Sequence, residues 1–465
     1  MSRGATDLCD WLGAGAPRFI GALIYGVFLE CVVGTEITLD VGGLTLDWNK
    51  NRRGNDHGML FQSKDRKRVR SEGIDYEYFA ENDEDPGPME MAFCRPLREV
   101  VSRVELLGYS LENIKNAYQA CLENWREDRA YLDDSQNGES TLNLMDFEEF
   151  YAFATANPLH ELDNQFVSSL DQDQVQGRFA NEMKKQRIPY YSPHDMQAYS
   201  ERSYFGALLR FLHPYAVLRL LGENAGNLDA QVIWQYGPLV EAGYASRDEF
   251  VPCANRTQTF LIATEGSSDA HILKRAFELL RPEIMDFFRF IDMTESHPFP
   301  GTGGLLKFAE GLIKIYVQNQ IIFLFDNDAE GCYAYQKLSK QPLSQNMRAM
   351  MLPALERFRA FPALGPEGLA NADINGRAAA IECYLDLELT GFPPAKVIWT
   401  SYKRELNVYH GALEYKESYT KAFFAQTEET VANGSYEVDK LGAVLDAIFA
   451  EAALIATYTP LTEEH

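Results

Sequence analysis

The chain has 465 residues and a mass of 52.7 kDa, enough for two to three domains. Its 46% hydrophobic and 24% charged residues exclude disordered, collagen-like and coiled-coil classes. Sixty-eight acidic against 43 basic residues give a net charge of −25, so the surface as a whole repels phosphate. Contact with nucleic acid then requires a local basic patch or a bound cation.

Phe19 to Val33 is an apolar run of fifteen residues containing Glu30, too short to span a bilayer. No signal peptide and no membrane partner are expected. Residues 1–33 read as an N-terminal extension. They form an accessory helix, or are not native if translation begins at a GTG codon read here as Val33. Cysteines at 9, 31, 94, 121, 253, 332 and 383 make no zinc-binding spacing, and their number is odd. A reduced, cytoplasmic protein without structural zinc is expected.

Regular patterning starts at Gly34. Ile37, Leu39 and Val41 alternate with polar residues, as do Leu44, Leu46 and Trp48, and Gly42-Gly43 joins the runs into a β-hairpin. A basic stretch follows, including Arg66, Lys67 and Arg68. It is either a solvated loop or a nucleic-acid contact. Apolar spacing predicts helices from Leu97 to Leu107, from Leu111 to Trp125 with Ser110 as N-cap, and from Asp146 to Ala154. Residues 34–155 thus read as an α+β domain. Residues 156–256 read as a helical connecting region, with periodicity at Leu208–Leu221 and Leu228–Tyr244. From 257 to 400 strands and helices alternate, with near-continuous apolar strands, which predicts a Rossmann-like parallel sheet covered on both faces. Residues 401–465 read as a helical extension.

Acidic residues stand at the carboxyl ends of those strands, where ligands of such sheets bind. Glu265 ends the first strand. Asp326 and Asp328 end the third, and alternate strand residues face one way. Converging carboxylates repel unless a cation neutralises them, and hard oxygen donors suit Mg2+ or Mn2+. Gly266 and Gly331 allow tight turns into the following helices. The loop Gly301-Thr302-Gly303-Gly304 can bring the amides of Gly303 and Gly304 to a phosphate, or is a plain strand-to-helix turn.

A Glu after the first strand and an Asp-x-Asp after the third resemble the Toprim domain of topoisomerases, primases, RecR-type proteins and OLD-family nucleases. The resemblance covers residues 257–400. A primase or RecR-type protein would bring zinc ligands that are missing, and a type IA topoisomerase a longer chain. The chain holds no GxxxxGK[ST] ATPase motif. A stand-alone OLD-like nuclease remains, and the whole chain looks like bacterial HEPN/Toprim-associated proteins. The resemblance implies catalytic and metal-binding roles for Glu265, Asp326 and Asp328. It also implies a later carboxylate for a second metal, which Glu382 resembles, and a late lysine that stabilises phosphoryl charge, which Lys416 resembles. Asp269 caps its helix or joins the second metal site, and Glu382 with Asp386 is expected one turn apart on a helix. The spacing R-x4-6-H of HEPN ribonucleases occurs at Arg52–His57 and Arg404–His410, and neither is assigned.

Two functions from different classes follow. One is metal-dependent hydrolysis of DNA or RNA phosphodiesters in bacterial antiphage defence, with an ATPase or other defence protein as partner in trans. The other is a non-catalytic nucleic-acid-binding or partner-regulated module. The oligomeric state is not legible.

Overall fold

Alternation of apolar and polar residues builds the first sheet. In the computed structural model, which describes residues 35–71, 73–133, 143–168, 172–181, 183–191, 198–291 and 301–458, β1 (Glu36–Val41) pairs antiparallel with β2 (Leu44–Lys50). The N-terminal extension and its start-site question lie outside the described residues. Gly42 and Gly43 turn the hairpin at φ +55° and +80°, the positive values of a two-residue hairpin loop. Ile37, Leu39, Val41 and Leu44 are buried, whereas Trp48 is exposed. Leu39 pairs with Asp47 and Asp40 with Thr45, so Leu46 is an extra residue in β2. This bulge ends the strict alternation that placed Trp48 with Leu44.

The chain divides into two compact units, residues up to Val100 with Tyr118–Cys253, and Val101–Ala117 with Ala254–His465. In the first, β3 (Arg66–Arg68), α1 (Tyr76–Glu81) and β4 (Met91–Pro96) follow the hairpin; the next helices, α2 (Leu97–Leu106) and α3 (Leu111–Asp133), are shared, with Val101–Ala117 belonging to the second unit. Further helices are α4 (Phe147–Thr155), capped by Asp146, then α5 (Gln172–Val175), α6 (Glu201–Leu209) and α7 (Pro214–Leu221). The predicted helices at 97, 111 and 146 are present. The helix predicted over Leu228–Tyr244 is not, because Gln231–Gln235 is a strand, β5, followed only by the short helix α8 (Gly237–Glu241). β5 is the middle strand of the order β2-β1-β5-β4-β3 and bonds to β1 and β4 on its two edges. A short apolar run does not reveal by periodicity whether it is strand or helix, and pairing on both edges decides it. Residues 156–256 are therefore not merely a helical connection.

In the second unit β6 (Phe260–Ala263), α9 (Ser267–Leu280), β7 (Phe288–Phe290), α10 (Thr302–Lys314), β8 (Gln320–Phe325), the two-residue β9 (Asn327–Asp328), α11 (Ala329–Leu338) and β10 (Met347–Met351) alternate as predicted. β10-β8-β6-β7 form a parallel sheet. Ile322 and Leu324 face a core with α9, whereas Phe323 and Phe325 face one with α10 and α11. Both faces are thus covered, which explains the continuous apolar run of β8.

β11 (Phe361–Gly365), β12 (Gly368–Ala372), the two-residue β13 (Ala378–Ala379), β14 (Val397–Lys403) and β15 (Val408–Leu413) follow. They make a second sheet, β12-β11-β14-β15, and a short β13-β9 pair. The helices α12 (Lys416–Phe424), α13 (Glu428–Ala432) and α14 (Asp439–Tyr458) end the unit. Of the residues expected to form a helical extension, 401–413 are therefore strand and turn, and helices begin only after β15. By length and composition α14 could cross a membrane; Leu441, Val444, Leu445 and Ile448 bury one face of it in the core that includes α9.

Arg103 is fully buried and gives a stability prediction. Its guanidinium donates to Asp286 at 2.6 and 2.8 Å and to the Glu283 carbonyl at 2.7 Å, and lies over Phe287. Arg103→Ala leaves Asp286 without that partner and is expected to lower unfolding free energy by about 3 kcal/mol, read from the urea midpoint. An unchanged midpoint would count against it.

Candidate metal centre

From β6 the chain passes to β7 on one side, and from β8 to β10 on the other. The crevice between the carboxyl ends of β6 and β8 is therefore the switch point at which ligands of open α/β sheets bind. Glu265 lies just beyond β6. Its Oε1 accepts from the Asp326 amide at 3.1 Å and its Oε2 from the Thr302 hydroxyl. Asp269, in the first turn of α9, reaches back to the Gly266 amide at 2.9 Å.

Asp326 accepts from the Ile381 amide at 3.2 Å, and Asp328 caps α11 through the Gly331 amide at 2.8 Å. Between them Asn327 is buried and bonds Gly376, Asn375 and Tyr384, which ties the 375–384 segment to the site. A Cβ at position 331 would stand 2.2 Å from the Asp326 carbonyl oxygen, so only glycine allows this close turn.

Glu382 is buried in the 3-10 turn Ile381–Tyr384, with the Lys416 ammonium 3.7 Å away. The helix expected to pair Glu382 with Asp386 does not form. Asp386 instead accepts from the amides of Glu388 and Glu437 at 2.9 and 3.0 Å. Gly303 and Gly304 lie in the first turn of α10, where the Gly304 amide already donates to the Gly301 carbonyl at 2.9 Å. The contact from that loop to the carboxylates is made by Thr302.

Burial and mutual repulsion govern the charges. Burial, then the charges of Asp269, Glu265, Asp328 and Glu382, hold Asp326 well above the usual carboxylate range. Burial, then Asp328 and Asp269, push Glu265 up to about 7 against the pull of Thr302 and the Asp326 amide. Burial and Glu382 raise Asp269 to about 6, and burial raises Asp328. All the donors are hard oxygens, which fits a divalent cation of the Mg2+ or Mn2+ kind. Among the described residues no three such side chains are preassembled to hold a metal ion; Glu265, Asp269, Asp326 and Asp328 are each engaged by a protein donor.

The upward shifts have a consequence for stability. With no cation, folded Glu265 keeps a proton that the unfolded chain releases near 4.5. The unfolded state therefore binds fewer protons between 4.5 and about 7, and stability falls as pH rises through that window. In chelator, wild type is expected to lose melting temperature relative to Glu265→Gln over this range. Parallel curves would contradict the shift.

Two contacts have no clear sequence signal. Thr302 is hidden in a glycine motif read for its backbone. His410, on β15, places Nδ1 3.8 Å from Asp328 Oδ2, although 82 residues separate them. The other spacing match ends at His57, which is buried between Asp47 at 2.9 Å and the Tyr215 hydroxyl at 3.1 Å. In the basic stretch, an edge strand rather than a loop, Arg66 lies over Phe93 and Tyr236 and donates to the Phe250 carbonyl. Lys67 is exposed, and Arg68 pairs with exposed Asp85 at 3.2 Å.

The fold and site define a multidomain α/β protein with a carboxylate cluster at the switch point of its parallel sheet. Residues 33–258 match the family HEPN/Toprim N-terminal domain 1, which supports a HEPN/Toprim-associated protein. The match spans all five strands of the first sheet, β5 included, across the boundary expected at residue 155. The carboxylate cluster lies beyond the matched residues. No curated protein and no solved structure matches the chain.

Proposed function

We propose that residues 257–400 are a Toprim-like, OLD-like domain that hydrolyses phosphodiester bonds of DNA or RNA with Mg2+ or Mn2+. The observation that carries this reading is the set of buried, mutually repelling carboxylates, Glu265, Asp269, Asp326 and Asp328, with Glu382 beside them, at the switch point. The HEPN/Toprim match supports a nuclease-related role and contact with nucleic acid.

In this reading Glu265, Asp326 and Asp328 are the principal ligands, and Asp269 with Glu382 completes a second position. When bound, the cation neutralises these carboxylates, acidifies a water and polarises the scissile phosphate. Thr302 orients Glu265, which serves as ligand or as base. Lys416 faces the phosphoryl charge, and Gly303 with Gly304 is a phosphate-binding candidate. Cleavage by purified protein that appears with Mg2+ or Mn2+ and stops with chelator is the expected result. Cleavage indifferent to chelator would remove the cluster from the chemistry.

The basic edge strand is proposed as a nucleic-acid contact through Lys67 and Arg68, with Arg66 serving mainly to hold the sheet. Lys67→Glu with Arg68→Glu is expected to weaken binding and flatten its salt dependence. An unchanged slope would leave the strand as a solvated edge. The biological setting proposed is cytoplasmic antiphage defence, with an ATPase or other defence protein supplied in trans. The net charge of −25 and the lack, among the described residues, of a preassembled metal set favour a second reading, a non-catalytic nucleic-acid-binding module.

A further inference from the structure

His410 brings an imidazole to a cluster built from carboxylates, and backbone contacts of β15 fix its place. Trp399 pairs with Gly411 and Ser401 with His410, so Thr400 is an extra residue in β14 opposite them. Such a bulge kinks a strand pair and re-aims a side chain. The Gly411 amide donates to the Arg377 carbonyl at 3.3 Å, and Arg377 bridges to Asp328 beside the β13-β9 pair. A Cβ at position 411 would stand 2.7 Å from Val397 Cγ1 and 2.8 Å from Trp399 Cε3, so this close approach needs glycine. His410 Nδ1 is thereby held 3.8 Å from Asp328 Oδ2. That nitrogen is buried and makes no hydrogen bond. A buried polar atom without a partner is costly and calls for a reason.

The spacing supplies one. Two donors that each stand about 2.1 Å from one ion are at most about 4.2 Å apart. At 3.8 Å, Nδ1 and Oδ2 lie within that span and beyond hydrogen-bond reach of each other. Carboxylate oxygens suit Mg2+ and Mn2+ alike, whereas an imidazole nitrogen favours transition-metal ions. We propose that His410 is a nitrogen ligand that shares one ion with Asp328 and makes the centre select Mn2+ over Mg2+. The remaining places are filled by the carboxylates beside Asp328 and by water. With Nδ1 as ligand, the proton of the neutral ring sits on Nε2. The inference rests on the metal-centre part of the proposed function and needs no nucleic-acid cleavage. A histidine that merely packs against Asp328 would give the centre no such preference, and the measurements below separate the two roles.

The test uses the full chain with Mn2+ or Mg2+ alone and no substrate. Calorimetric titration is expected to show Mn2+ bound at least about tenfold more tightly than Mg2+. Pulsed electron paramagnetic resonance of the bound Mn2+ is expected to show coupling to a directly bound nitrogen. His410→Ala is expected to lose that coupling and about tenfold or more in Mn2+ affinity, with Mg2+ affinity within about twofold of wild type. His410→Gln, closer to the wild type in size and polarity, is measured beside it, and urea midpoints check that both variants are folded. Mn2+ bound by the wild type without nitrogen coupling would overturn the role of His410 while the carboxylate centre stands, and this result needs no variant. Coupling that persists in a folded variant would assign the nitrogen to another residue and overturn the proposal as well. If neither ion binds saturably, the metal-centre reading itself fails, and the inference with it.

Discussion

Asp326→Asn combined with Asp328→Asn is expected to abolish the proposed metal-dependent cleavage, a loss of about a thousandfold or more, while the protein stays folded. A cation site contributes several kcal/mol of charge stabilisation in the transition state, and about 4 kcal/mol is a thousandfold in rate. Both residues sit at the β8 end of the switch point, and the charges of Asp269, Glu265, Asp328 and Glu382 all repel that of Asp326. Asn is the better replacement here. Asp328 caps α11 through the Gly331 amide, and Ala would remove that cap at about 1 kcal/mol, offsetting the relief of repulsion. Asn can keep the cap and removes the charge. Cleavage rates and urea midpoints of the double variant check the two halves. Undiminished cleavage in a folded variant would exclude this site from the reaction.

Glu265→Gln is the second large effect and separates two roles. Gln keeps the size of the side chain; its oxygen can still accept from the Asp326 amide and its NH2 can donate to the Thr302 hydroxyl oxygen, but it brings no negative charge. Loss of a hard ligand lowers cation affinity. Loss of a group acting as base in the transition state lowers turnover even when the cation saturates. A cation titration of cleavage rate is expected to show both, a higher half-saturating concentration and a reduced plateau. Full recovery at high Mn2+ would leave Glu265 a ligand only. Identical curves would remove it from the site.

Much of the second unit was legible because its signals are local. The continuous apolar run before Asp326 is a strand buried on both faces, and the acidic residues at strand ends mark the crevice. The contacts that complete the cluster were not legible, because they come from folding distant segments together. Ile381 donates to Asp326 from a segment that Asn327 ties down through Gly376, Asn375 and Tyr384, and no pattern in 375–384 announces it. His410 reaches the site across a sheet whose strand order mixes parallel and antiparallel pairs. β5 failed for a related reason. Its five residues carry too little periodicity, and the evidence that they form a strand lies in β1 and β4, more than 130 residues away. Arg66, read as one of a set of phosphate-facing cations, is committed instead to aromatic rings and a carbonyl that only the folded sheet presents.

Calorimetric titration of Mn2+ into the purified protein near pH 6.5, repeated in buffers of different ionisation enthalpy, tests the cluster as a metal centre most directly. Glu265 and Asp269, pushed up to about 7 and about 6, are partly protonated there, and a cation that binds them must displace those protons. Saturable binding with proton release is expected, and loss of both in Asp326→Asn/Asp328→Asn. Absence of saturable binding by the wild type, or binding of the same strength and proton yield by the double variant, would contradict it.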